Sequence, residues 1–184
     1  PFPCGIVNHP SIDAAIQLKQ EYGLTADMIK RVKIRVAPLV MDLCGKRNIT
    51  KGLEGKFSVV HGTAVGLVRG KAGLSEYTDE AVNDPDIKRV RDSVTPEADS
   101  SVTEDGVKME VELVDGRVVS KVLEHSLGNL ARPMTNAQLE EKFRDQVGLV
   151  LPASQTEKLL ERCWKVAELK NVGEELVAIS IPPA

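Results

Sequence analysis

Residues 55–70 constrain the fold more than any other part of this chain. From about Phe57 to Val68 the apolar residues Val59, Val60, Ala64, Val65, Leu67 and Val68 leave no wide polar stripe, so the segment predicts a helix buried on most sides. A helix of that kind must be covered by other elements, and the sequence shows no internal repeat. Gly62 and Gly66, four residues apart, share one face and permit close approach of another backbone or of a ligand. At its opening the same helix carries Lys56, Ser58 and His61, polar groups that are costly inside a protein unless they are partnered or functional.

The flanking segments supply the cover, and together they read as an α+β fold. Ile12, Ala15, Ile16 and Leu18, with Tyr22, recur at helical spacing between an opening at Pro10 and Ser11 and a stop at Gly23. In residues 31–36, Val32, Ile34 and Val36 alternate with cations, the pattern of a half-buried strand, and Pro38 points to a sheet edge or a strand end. Residues 40–55 lose periodicity and gather Gly45, Gly52 and Gly55, which predicts a long surface loop. Short helices broken at Pro85, with Asp84 as a cap, are expected over 74–94, and the Ser, Thr, Asp, Glu and Pro of 95–106 predict a mobile loop. A hairpin follows, with Val107, Met109, Val111 and Leu113 on its buried face and Asp115-Gly116 as its turn. Thr135 and Gln138 form a capping box ahead of Leu139, Phe143 and Val147, and a last amphipathic helix starts near Ser154 or Thr156.

Composition narrows the function classes. With 184 residues and 42% hydrophobic content the chain can bury a real core, yet aromatics make up only 3%, so stacking surfaces for single-stranded nucleic acid are largely missing. A net charge of −3 provides no global basic field, and nucleic acid is not an expected partner. Cys4, Cys44 and Cys163 are odd in number and widely spaced, which suggests neither a disulfide framework nor a zinc site and points to reduced, intracellular thiols. No apolar run approaches the roughly 20 residues of a membrane span, so a cytoplasmic protein with no membrane partner is expected. The chain opens at Pro1-Phe2-Pro3-Cys4 without an initiating Met and reads as a processed or excised piece; a mitochondrial location fits if a targeting segment is missing.

Three histidines carry the chemical interest. His9 stands just before a helix start, where the positive end of the dipole favours a neutral imidazole that can act as a general base or simply pack there. His61 lies three residues from Ser58 on the buried helix, and is either a core histidine held by a hydrogen bond or a group facing a common space with Ser58. Lys56 either holds a carboxylate or turns to water, and Ser58 either binds substrate or caps the helix. His125 reads as a surface residue. Neither a Walker nor a dinucleotide glycine loop occurs, and the histidines lack metal-ligand spacing, so no cofactor and no metal are indicated.

Several separate blocks, in order, resemble the MmgE/PrpD family of 2-methylcitrate dehydratases, cis-aconitate decarboxylases and iminodisuccinate epimerases. They are the Pro-Cys segment with His9 and Asp13-Ala14-Ala15, Gly55-Lys56-Phe57-Ser58 with its helix, Thr78-Asp79-Glu80-Ala81-Val82 with Asp84-Pro85, the Asp115-Gly116 hairpin, and Arg132-Pro133-Met134-Thr135 leading to Phe143. The resemblance implies a small α+β lid domain over 1–134, followed over 135–184 by helices that return to a large all-helical domain absent here. It further implies a cofactor-independent lyase for a small polycarboxylic acid, with His9 and His61 as catalytic acid and base, Lys56 and Ser58 bordering the substrate, and a homodimer as the assembly. Two other readings are a truncated lid turned isomerase or cyclase, with the Gly62 and Gly66 face as a pocket wall, and a non-catalytic partner of a full-length relative.

Overall fold

The computed structural model describes residues 1–183. The chain divides into two compact units, Pro1–Pro133 and the part from Met134 onward.

The first unit opens with a 3-10 turn, Ile6–Asn8, that runs straight into α1 (His9–Tyr22). Gly23 closes the helix in a left-handed conformation, φ 61°, its N–H bonded to the Lys19 carbonyl, as the stop signal predicts. After a second turn at Ala26–Met28 comes β1 (Ile29–Val36), where Val32, Ile34 and Val36 are buried and the intervening cations are exposed. On that open face Lys30 and Arg31 both reach Glu112, at 2.6 and 2.7 Å. These are solvent-screened pairs and contribute only modestly to stability.

The expected surface loop after β1 is instead partly helical. Pro38 ends the strand and starts α2 (Pro38–Cys44), and a single helical turn, α3 (Gly52–Gly55), precedes the buried helix α4 (Val59–Arg69). A 3-10 turn at Leu74–Tyr77 leads to α5 (Asp79–Asn83) and α6 (Pro85–Ser93). Asp84 caps α6 by accepting from the Asp86 and Ile87 N–H groups, as anticipated. The segment predicted to be a mobile loop contributes β2 (Val94–Ala98) before it turns at Asp99–Ser101. The hairpin strands β3 (Val107–Leu113) and β4 (Val118–Leu123) complete the sheet.

Strand order is β2-β1-β3-β4, with β1 and β2 parallel and the other pairs antiparallel. β1 is therefore a central strand, and of the two meanings offered for Pro38 only the strand end holds. A parallel pair needs a long crossover, and here the crossover contains α2 to α6, so the buried helix is delivered to the covered face of the sheet. There α1 and α4 pack on each other and on the strands, with α6 beside α4. Ile12, Ala15, Leu18, Ala64, Val65, Leu67, Ile87, Val32, Ile34 and Met109 are all at most 1% exposed.

The close approach allowed by the α4 glycines is taken by α1. A Cβ on Gly66 would lie 2.7 Å from the Ala15 Cβ and 3.0 Å from the Ile12 carbonyl oxygen, and one on Gly62 would touch Ile12. That face is a helix contact and not the pocket wall considered from sequence.

The second unit holds α7 (Asn136–Val147), α8 (Ala153–Trp164) and α9 (Val172–Ser180), with a 3-10 turn at Val166–Glu168. The Thr135 and Gln138 capping box forms as expected. Residue α8 starts at is Ala153, after Pro152, so neither Ser154 nor Thr156 opens it, and α9 is a further helix beyond the one predicted as the last. Arg144 ties α7 to α8 through Glu157 at 2.6 Å, and the Gln155 side-chain amide donates to the Ile179 and Ile181 carbonyls. No helix among the described residues is long and apolar enough to cross a membrane.

Candidate active site

His9 is the first residue of α1 and is 7% exposed, its ring edge-on to Phe2 with centroids 5.3 Å apart. The start of α1 is joined to the start of α4 through one main-chain oxygen. The Lys56 carbonyl accepts from the Gly5 N–H at 3.0 Å and from the Asn8 side-chain amide at 3.2 Å. This staple brings the Pro-Cys segment, with His9, to the segment carrying Lys56, Ser58 and His61. The Lys56 side chain is half-buried and its charge acts on the Cys4 thiol, which burial nevertheless pushes up to about 11.

Ser58 is the N-cap of α4: its hydroxyl accepts from the His61 N–H at 3.3 Å, and the residue is fully buried. Of the two roles read from sequence, capping is the one visible. Ser58→Ala is expected to lower stability by about 1–2 kcal/mol, because the lost cap leaves a buried donor unpaired; urea unfolding of the two proteins measures it.

His61 is wholly enclosed at 0% exposure. Its Nε2 is 2.9 Å from the Glu76 carbonyl oxygen, and Tyr77 meets its ring edge-on at 5.6 Å. Burial is the main force that lowers its pKa to about 4, assisted by the Arg91 charge and opposed by the Glu76 carbonyl. Above about pH 6.5 the group is neutral in both folded and unfolded chains and its contribution is complete. As pH falls toward about 4 the unfolded chain gains a proton that the folded one resists, and stability drops. Between about pH 7 and about pH 4.5 the loss from this group is about 2 kcal/mol. The comparison that checks it is the pH dependence of urea unfolding for wild type and His61→Gln, whose curve should be shallower by that amount.

Sequence reasoning missed Tyr77, Glu76 and Asn8. Tyr77 is 5% exposed, with its hydroxyl beside the Cys4 thiol, and burial raises its pKa well above the usual phenol value. Asn8 is fully buried next to His9. The available signal was position: Asn8 adjoins the singled-out histidine, and Glu76-Tyr77 immediately precedes the Thr78-Asp79-Glu80 block. His125 is exposed and paired with Asp105 at 2.9 Å, in keeping with its reading from sequence as a surface residue.

A mixed four-stranded sheet covered on one face by helices, two of which carry histidines in their first turn, defines an α+β domain. The family profile of the MmgE/PrpD C-terminal domain matches residues 2–166, and the chain belongs to the MmgE/PrpD family. Among curated proteins it is similar to the mitochondrial 2-methylcitrate dehydratase of Yarrowia lipolytica, 25% identical over 174 residues, covering 86% of this chain and 34% of that protein. It is equally similar to the 2-methylcitrate dehydratase of Salmonella typhimurium, 25% identical over 186 residues, covering 93% of this chain and 38% of that protein. The chain thus spans little more than a third of the length of these relatives.

Proposed function

We propose that the chain forms the lid portion of a lyase that dehydrates a small polycarboxylic acid of the 2-methylcitrate type. The observation that carries this reading is the staple at the Lys56 carbonyl, which gathers His9 and the start of α4 on one side of a unit belonging to this family. The curated relatives it matches are dehydratases.

Dehydration of such an acid removes a proton α to a carboxylate and a hydroxyl from the neighbouring carbon, forming a carbon–carbon double bond and releasing water. A base takes the proton, an acid protonates the departing hydroxyl, and a cation holds a carboxylate in place. His9, the first residue of α1, is assigned proton transfer with the substrate. His61, 0% exposed, is assigned a supporting acid–base role behind the substrate face, and Lys56 the carboxylate. Ser58 borders the site by holding the α4 start in register. The groups that complete the site belong to a large helical portion outside this chain.

Exposed apolar side chains around the staple support a docking partner of that kind. Ile6, which follows Gly5, is 77% exposed, and Leu53 and Phe57, on either side of Lys56, are 70% and 48% exposed. Docking there would exclude water from the cleft and strengthen its electrostatics.

A substrate panel tests the reaction type. The native species, isolated from its source with whatever completes it, is offered 2-methylcitrate, citrate and cis-aconitate, and both ultraviolet absorbance of the new double bond and carbon dioxide release are followed. Double-bond formation from a hydroxy acid is the expected result. Carbon dioxide release from cis-aconitate alone would replace dehydration by decarboxylation, and inertness toward all of these acids would overturn the reading.

A further inference from the structure

We propose that the turn Leu74–Tyr77, together with Gly55, is a positioning element that fixes His61 as its Nε2–H tautomer and leaves Nδ1 as the acceptor. The contact that sets the proton is the one to Glu76. A carbonyl oxygen can only accept, so an imidazole nitrogen 2.9 Å from it must donate. Turning the ring over would place a ring carbon against that oxygen at a distance shorter than the roughly 3.3 Å of a C–H···O contact, and would deprive the carbonyl of its donor. The Nδ1 atom is buried and has no hydrogen-bond partner among the described residues.

The ring has little room to move from this position. A Cβ on Gly55 would stand 2.9 Å from His61 Cδ2 and 3.2 Å from Nε2, so any larger residue drives the imidazole off the carbonyl. Tyr77 closes another side. The turn itself is anchored: the Glu76 carboxylate accepts from the Gly73 N–H at 2.8 Å and lies 3.6 Å from Lys71. The charged and titratable groups set around His61 are Glu76 and Tyr77 from this turn and Arg91 from α6, whose guanidinium donates to the Val82 carbonyl. A buried site next to that cation disfavours imidazolium, which keeps Nδ1 unprotonated. That His61 serves the acid–base site rests on the proposed function; its tautomer does not.

The test is a two-bond nitrogen–proton correlation spectrum of the 15N-histidine-labelled chain, with His9→Asn and His125→Asn used to assign His61 by elimination. The expected spectrum shows His61 with Nε2 protonated and Nδ1 bare, by about tenfold or more over the other tautomer, and still neutral near about pH 5. Tyr77→Phe keeps the ring and the Glu76 carbonyl and should leave the pattern unchanged. Gly55→Ala should collapse the bias. An Nδ1–H tautomer, averaged signals, or loss of the pattern in Tyr77→Phe overturns the proposal, as does an unaltered Gly55→Ala spectrum. If Gly55→Ala fails to fold, the wild-type and Tyr77→Phe spectra decide. None of these readings needs substrate, so they stand or fall separately from dehydratase activity.

Discussion

Gly52→Ala should destabilise the protein by about 3 kcal/mol, the larger end of overpacking effects, although the substitution adds one methyl group to the first residue of α3. A Cβ there would lie 1.9 Å from the Tyr77 carbonyl oxygen and within 3 Å of the main-chain carbons of Tyr77 and Thr78. These are backbone atoms and cannot swing aside. The Gly52 N–H is also held by Asp79 at 2.7 Å, so α3 cannot slide away without breaking that bond. Urea unfolding of the chain measures the change, and a loss below about 0.5 kcal/mol, the range of ordinary surface substitutions, would contradict the packing described. The same methyl group displaces Tyr77 from His61, which links this cost in stability to the candidate site.

His9→Ala should reduce turnover of the native species by about 10²- to 10⁴-fold, the range for loss of a general acid or base. His9 starts α1, buried and packed on Phe2, whereas the staple between α1 and α4 uses Asn8, Gly5 and Lys56. Removing the imidazole therefore leaves the staple intact, and the amide spectrum should remain that of wild type. Steady-state kinetics on 2-methylcitrate distinguishes the roles: a fall in kcat assigns His9 to proton transfer, while a rise in KM alone would assign it to binding. Retained turnover would remove His9 from the chemistry.

The parts of the fold legible in the sequence were those with an unambiguous period. The all-round apolar character of α4 and the alternation in β1 and β3 each identified an element and its buried face. β2 was hidden because Val94-Thr95-Pro96-Glu97-Ala98 contains a proline and little alternation, features tolerated here because β2 is the sheet edge. α2 and α3 are too short for periodicity to speak, and glycines and cations within 45–55 mimic a loop. At the site, the histidines stood out by residue type. Their surroundings did not, because the decisive groups are the main-chain oxygens of Lys56 and Glu76, which every residue possesses and only the tertiary fold aims. Burial of His61, the main cause of its depressed pKa, was suggested by its helix; the smaller assisting charge of Arg91, thirty residues further along, was not.

The most direct measurement of the central claim is dehydration of 2-methylcitrate, followed side by side for the purified 184-residue chain and for the native species isolated from its source. A lid that borders a cleft completed by a large helical portion predicts turnover by the native species and none by the chain alone. Turnover by the isolated chain, or a native species inert toward polycarboxylic acids, would contradict it.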